Sequence, residues 1–220
     1  QQYNLPYSQD YLIDSIAKVN KNIAVILISG NAISMPWLSN VKTVLQSWYL
    51  GSEAGNAMAS IISGEVNPSG KLPFTFPKKL MDNGAHYYGE LSYPGNGETQ
   101  FYKEDILVGY RWHDTKKIKP NFAFGHGLSY ASFDLFGINS NKKSYSIADT
   151  IKISCEIKNT GKVKGSEVVQ VYVGKKNSKV KRALKELKGF KKISVLKGES
   201  KKIEIKIDVN KLAFYDEKKS

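Results

Sequence analysis

The apolar residues of this chain keep two different periods, and no single sheet or helical bundle accommodates both. Over residues 9–19, Leu12, Ile13, Ile16 and Ala17 fall on one helical stripe, with Ser8 in position to cap it. Residues 23–28, Ile-Ala-Val-Ile-Leu-Ile, form an unbroken apolar run, as in a strand buried on both faces of a parallel sheet. A turn at Gly30 and Asn31 follows, then a second strand over 43–49 and a helix over 52–63. Ser52 is placed to cap that helix, and Gly64 to close it in the left-handed conformation. Ala54, Ala57 and Ala59 let the helix backbone lie close to a sheet. Helices alternating with strands predict an α/β layer with flanking helices on a mostly parallel sheet.

From residue 131 the period becomes two. Ile151, Ile153, Cys155 and Ile157 alternate with Lys152, Ser154, Glu156 and Lys158, and Asn159-Thr-Gly161 is a turn signal. Val169, Val171 and Val173 form one strand face, and Ile203, Ile205 and Ile207 another. Short alternating strands with turns between them predict an all-β sandwich of fibronectin or immunoglobulin type. The expected division is therefore an α/β segment over 1–130 and a β-sandwich over 131–220. Residues 65–130 have neither rhythm and are rich in Pro and Gly, which marks loops that border binding sites. Cys155 shares its strand face with isoleucines and is expected to be a buried, unreactive thiol.

Charge follows the same division. Residues 1–130 carry 11 basic and 10 acidic side chains, whereas residues 131–220 carry 22 and 10. The cations of the second segment are nearly all Lys, with no aromatic or Arg cluster among them, so they are read as a solvated face rather than a nucleic-acid surface. The longest apolar run is too short to span a bilayer. A single Cys excludes an intrachain disulfide and a multi-thiolate metal site.

Several motifs point away from particular chemistries. Gly51-Ser-Glu-Ala-Gly55 matches neither glycine-rich phosphate loop, and Glu53 would oppose a phosphate there. His86, His113 and His126 lack metal-ligand spacing, and no cofactor is implied. Gly125-His-Gly-Leu-Ser-Tyr130 lacks the G-x-S-x-G elbow of a serine nucleophile. Carboxylates remain, and glycosidic cleavage needs two facing each other across a sugar. Glu53, Glu65, Glu98, Glu104 and Asp105 are candidates by residue type, with an ion pair to Arg111 as the structural alternative for Glu104.

A series of motifs in fixed order resembles glycoside hydrolase family 3. It runs from Leu5-Pro6 and Gln9-Asp-Tyr-Leu-Ile13 through Met35-Pro-Trp37 and Trp48-Tyr-Leu-Gly-Ser-Glu-Ala-Gly-Asn-Ala57. Asn67-Pro-Ser-Gly-Lys-Leu-Pro-Phe-Thr-Phe-Pro77, Tyr102-Lys-Glu-Asp-Ile-Leu-Val-Gly-Tyr-Arg111 and Phe124-Gly-His-Gly-Leu-Ser-Tyr130 follow. Lys158-Asn-Thr-Gly161, Gly165-Ser-Glu-Val-Val-Gln-Val-Tyr172 and Leu184-Lys-Glu-Leu-Lys-Gly-Phe190 complete it. The family usually has Glu-Gly where this chain has Glu104-Asp105, and often an aromatic residue at the position of His126.

The resemblance implies the end of the family's α/β sandwich domain followed by most of its fibronectin-III-like domain. It also implies a retaining exo-β-glycosidase of periplasmic or secreted location acting on an oligosaccharide or glycoside. The family's Asp nucleophile belongs to an N-terminal barrel and its Glu acid/base to a loop upstream of the Leu-Pro motif. Both are thus expected before Gln1, no catalytic residue is assigned here, and the chain alone is expected to be inactive. The chain reaches Phe214-Tyr-Asp216 where the family's sandwich adds strands, so that sandwich is expected to be incomplete. Tyr102 and Glu104, within the Gly-containing stretch 82–112, are the expected substrate-contacting residues. A β-glucosidase is the first reading; a β-xylosidase of the same family, or a non-enzymatic binding module, is the alternative.

Overall fold

A computed structural model describes residues 3–214. Residues 215–220, on which the expectation of an incomplete sandwich partly rests, lie outside the described residues. The chain divides into two compact units, one formed by residues up to 65 with 72–126, the other by 66–71 with the residues from 127 onward.

The first unit opens with helix α1 (Gln9–Val19), followed by strands β1 (Ala24–Leu27) and β2 (Thr43–Gln46), which pair in parallel with Ala24 opposite Thr43. Helix α2 (Ala54–Ile62) follows a single 3-10 turn over Gly51–Glu53. Ser8 and Ser52 do not cap these helices as the sequence suggests. Ser8 takes a left-handed backbone (φ 57°) with no side-chain cap bond, and Ser52 lies inside the 3-10 turn. Gly64 does follow α2 with φ 81°, a conformation that glycine adopts freely.

The core of this unit gathers Leu27, Met35, Trp37 and Phe76, with Val25, Val44, Trp48 and Phe74 packed against them. The Met35-Pro-Trp37 motif explains itself here: Trp37 is completely buried, and its indole N–H donates to Asp10 on α1 at 2.6 Å. β1 is not buried on both faces among the described residues. Ile26 is partly exposed and Ile28 is 62% exposed, so one face of the strand is open. Tyr11, Leu12, Ile16 and Val19 of α1 are also exposed, and no residue of α2 is buried. Helices α3 (Gly84–Tyr87) and α4 (Tyr110–Lys116) are short and bracket a long ordered loop.

The second unit is a sandwich of two antiparallel sheets. Strands β3 (Phe133–Ser140), β4 (Thr150–Asn159) and β7 (Ser200–Asp208) form one, in the order β3-β4-β7; β5 (Gly165–Val173) and β6 (Glu186–Val195) form the other. The period-two faces meet in the core, where Cys155, Ile157, Val169, Val195, Ile203, Ile205 and Ile207 are buried together. Burial pushes the Cys155 thiol pKa up, which favours the protonated thiol over the nucleophilic thiolate.

Residues 66–71 are stitched into this unit. Asn67 donates to Lys164 O (2.9 Å) and accepts from Ser129 Oγ and Tyr130 N. Lys71 Nζ lies 2.7 Å from Glu167 Oε1 and donates to Gly127 O at 2.6 Å. The spaced motifs around Asn67, Gly127 and Glu167 are thus one hydrogen-bonded cluster.

Candidate functional site

The stretch 82–112 is built around Trp112, which α4 carries inward to almost complete burial. Its indole N–H donates to Asp82 O at 3.0 Å. The Asn83 side chain accepts from Ala85 N and so starts α3. α3 delivers Tyr87, and the turn after it Tyr88, edge-on against Trp112, with ring centroids at 5.1 and 5.8 Å. Both tyrosines remain partly exposed, and Lys116 Nζ sits 5.3 Å from the Trp112 ring.

Gly84 sits in a tight spot: a Cβ there would lie 3.1 Å from both Glu104 Cβ and the Trp112 ring, so those side chains would have to shift. Glu104 and Trp112 therefore press on the same small residue. The intervening loop is fastened by backbone bonds, Phe101 N to Leu91 O, and by buried Ser92, whose Oγ donates to Phe101 O at 2.9 Å. Its tip is closed by Asn96, whose Oδ1 accepts from Glu98 N and Thr99 N.

Glu104 is the one buried carboxylate residue of the described chain, at 7% exposure, and its Oε2 has no hydrogen-bond partner among the described residues. An acceptor of this kind attracts a hydroxyl or a cationic donor. Tyr102, two residues earlier, stands 72% exposed. Three of the other four candidate carboxylates are locally engaged. Glu53 accepts from Asn56 Nδ2 at 2.6 Å, Glu65 from Ser60 Oγ, and Asp105 from Ile106 N.

The histidines have separate structural settings. His113 is buried, with Nδ1 3.1 Å from Ile118 O. His126 packs on Phe122, and His86 packs on Tyr93 with burial lowering its pKa. Sequence reasoning placed interest on Tyr102 and Glu104 and missed Tyr87, Tyr88 and Trp112. The signal available was the His86-Tyr-Tyr88 run within a Gly-containing stretch, but nothing local says that these rings share one support.

One aromatic cluster, one exposed ring and one buried carboxylate suit the edge of a sugar site. They do not supply the pair of facing carboxylates that cleavage requires.

The model of the glycosyl hydrolase family 3 C-terminal domain matches residues 1–130, and that of the fibronectin type III-like domain matches residues 167–220. The β-glucosidase BoGH3A of Bacteroides ovatus is 48% identical over 216 residues, covering 98% of this chain and 29% of its own length. The thermostable β-glucosidase B of Acetivibrio thermocellus is 44% identical, covering 97% of this chain and 28% of its own length. The crystal structure of DesR, a β-glucosidase from Streptomyces venezuelae in complex with D-glucose, superposes with a TM-score of 0.91 at 39% identity, over 99% of this chain and 27% of that protein. The β-glucosidase 3B of Thermotoga neapolitana, solved with glucose, gives a TM-score of 0.88 at 32% identity over 97% of this chain and 30% of its own. The chain thus spans less than a third of the length of these relatives.

Proposed function

The chain belongs to glycoside hydrolase family 3, and from that membership we propose that it forms the C-terminal part of a retaining, exo-acting β-glucosidase. The observation that carries this reading is the continuous similarity to β-glucosidases along nearly the whole chain. In this reading the enzyme is periplasmic or secreted and removes terminal β-linked glucose. Its nucleophile and its acid/base belong to the remainder of the protein, including a barrel domain. A carboxylate nucleophile attacks the anomeric carbon while a second carboxyl group protonates the leaving oxygen. Water then releases the glycosyl-enzyme intermediate, with the second group acting as base.

This chain contributes the end of a helix-flanked, mostly parallel sheet, begun by β1 and β2, and a fibronectin-III-like sandwich over 131–220. It also contributes a rim over 82–112, where Tyr102 offers a ring face to sugar C–H groups and Glu104 a carboxylate to a hydroxyl. The bound sugar's hydroxyl would satisfy Glu104 Oε2.

The test has three arms. The full-length protein should hydrolyse an aryl β-glucoside faster than an aryl β-xyloside; the reverse order assigns a β-xylosidase, and no turnover of either sinks the reading. The isolated 220-residue chain should give no turnover above a buffer control. Tyr102→Ala and Glu104→Gln in the full-length protein should lower kcat/KM about tenfold or more, the weight of one good hydrogen bond or ring contact in a site, with Tm nearly unchanged. A fall in Tm with normal kinetics of the folded fraction makes both residues structural.

A further inference from the structure

The connection between β5 and β6 concentrates the charge of the sandwich. Residues 174–185 hold Lys175, Lys176, Lys179, Lys181, Arg182 and Lys185, and no acidic residue. The five lysines are exposed. Lys175, Lys176 and Lys179 form no ion pair with a described residue, unlike Lys71 and Lys142, which have carboxylate partners.

The loop is a closed, fastened structure. At its neck the backbones touch: a Cβ on Gly174 would lie 2.4 Å from Leu184 O, so only glycine fits. Ala183 is buried beneath it. Arg182 is turned inward, donating through Nη2 to Leu212 O at 3.0 Å with its guanidinium over the Phe214 ring at 4.7 Å. Lys185 lies over Tyr172 at 5.1 Å. At the tip, Asn177 takes φ 51° and the Ser178 hydroxyl bridges to Val180. Like charges held together on a fixed loop repel in the free protein, and a polyanion relieves that repulsion without having to order the loop first.

We propose that the β5–β6 connection, through Lys175, Lys176 and Lys179, is a docking site for an acidic polysaccharide, a sugar polymer bearing carboxylates along its length. Ammonium groups on flexible stems suit single, spaced carboxylates. A nucleic acid calls for aromatic rings and free guanidinium forks among the cations. This loop has no aromatic residue, and its one Arg is engaged with Leu212 and Phe214. The choice of a polysaccharide rests on the glycosidase reading above: such a site holds the enzyme beside the glycans that supply its substrate.

Affinity electrophoresis of the full-length protein tests this, by comparing mobility in gels with and without polygalacturonate. The unaltered protein should be retarded at least about threefold at low salt, and the retardation should fade as salt shortens the screening length from ~30 Å at 0.01 M to ~8 Å at 0.15 M. A gel containing neutral β-glucan should not retard it. Lys175→Glu with Lys176→Glu and Lys179→Glu should abolish retardation while leaving turnover of an aryl β-glucoside unchanged. A control variant with the same change in net charge, Lys162→Glu with Lys164→Glu and Lys197→Glu, alters the turns at the opposite end of β5 and β6 and should behave as the unaltered protein. No retardation of the unaltered protein overturns the proposal, as does equal loss in the control variant. Equal capture by anionic phospholipid vesicles or by a single-stranded oligonucleotide also overturns it. Retardation without glucoside turnover leaves the docking site standing and removes the glycosidase reading.

Discussion

Asn159 is completely buried, and both amide hydrogens of its side chain are used, to Val163 O at 2.8 Å and to Val195 O at 3.0 Å. Its Oδ1 accepts from Gly161 N, so one side chain holds the β4–β5 turn against the end of β6. Asn159→Ala removes all three bonds; the one to Val195 O is buried, where a stranded group costs about 1–3 kcal/mol, and the two in the β4–β5 turn are only part-buried. The expected loss of sandwich stability is therefore about 2–3 kcal/mol by urea unfolding. A loss under about 1 kcal/mol would mean that water replaces all three bonds. Asp149 gives a residue-level prediction about acid. The Lys142 side chain, 2.8 Å away, and then the Ser146 backbone N–H hold its carboxyl below the usual carboxylate range. A depressed folded pKa contributes stability that is present above the unfolded value, ~3.9, and is lost as pH falls through the folded one. The Tm advantage over Asp149→Asn should be flat from pH 5 to 8 and shrink below about pH 4. A constant difference down to pH 2 would contradict the assignment.

At the scale of elements, the ion pair of Lys71 with Glu167 joins residues 66–71 to the start of β5. Both side chains are largely buried, at 15% and 21% exposure, so screening is limited. A double-mutant cycle with Lys71→Met and Glu167→Gln should return a coupling of about 1–2 kcal/mol, and zero coupling would reduce the pair to proximity. The sandwich strands were legible in the sequence because one face of each is core and the other is water, which forces alternation at positions such as Ile203, Ile205 and Ile207. β1 was legible as a strand, but its burial was not, since an apolar run does not say which neighbours are present to cover it. Ser8 and Ser52 misled because cap chemistry depends on the backbone entering the helix, and the entering turns took other conformations. Of the candidate site, Glu104 and Tyr102 were legible by type and motif. The support of Tyr87 and Tyr88 on Trp112 was not, because it brings together residues more than 20 positions apart through non-periodic loops.

At the scale of the whole molecule, the chain combines a sandwich with a buried apolar core and an α/β unit whose helices keep much apolar surface exposed. Tyr11, Leu12, Ile16 and Val19 on α1, Ile28 after β1 and Ile62 on α2 are all exposed. That surface has a calorimetric consequence. The heat capacity of unfolding registers only groups that meet water for the first time, and these side chains are already hydrated in the folded chain. Scanning calorimetry of the 220 residues should therefore return less than the ~12–15 cal/mol/K per residue of ordinary domains. An increment inside that range would show the helices covered in solution, by self-association or otherwise. If, as proposed above, a barrel domain completes the protein and packs on this face, the full-length protein should regain the missing increment, and the gap between the two measurements would weigh that packing.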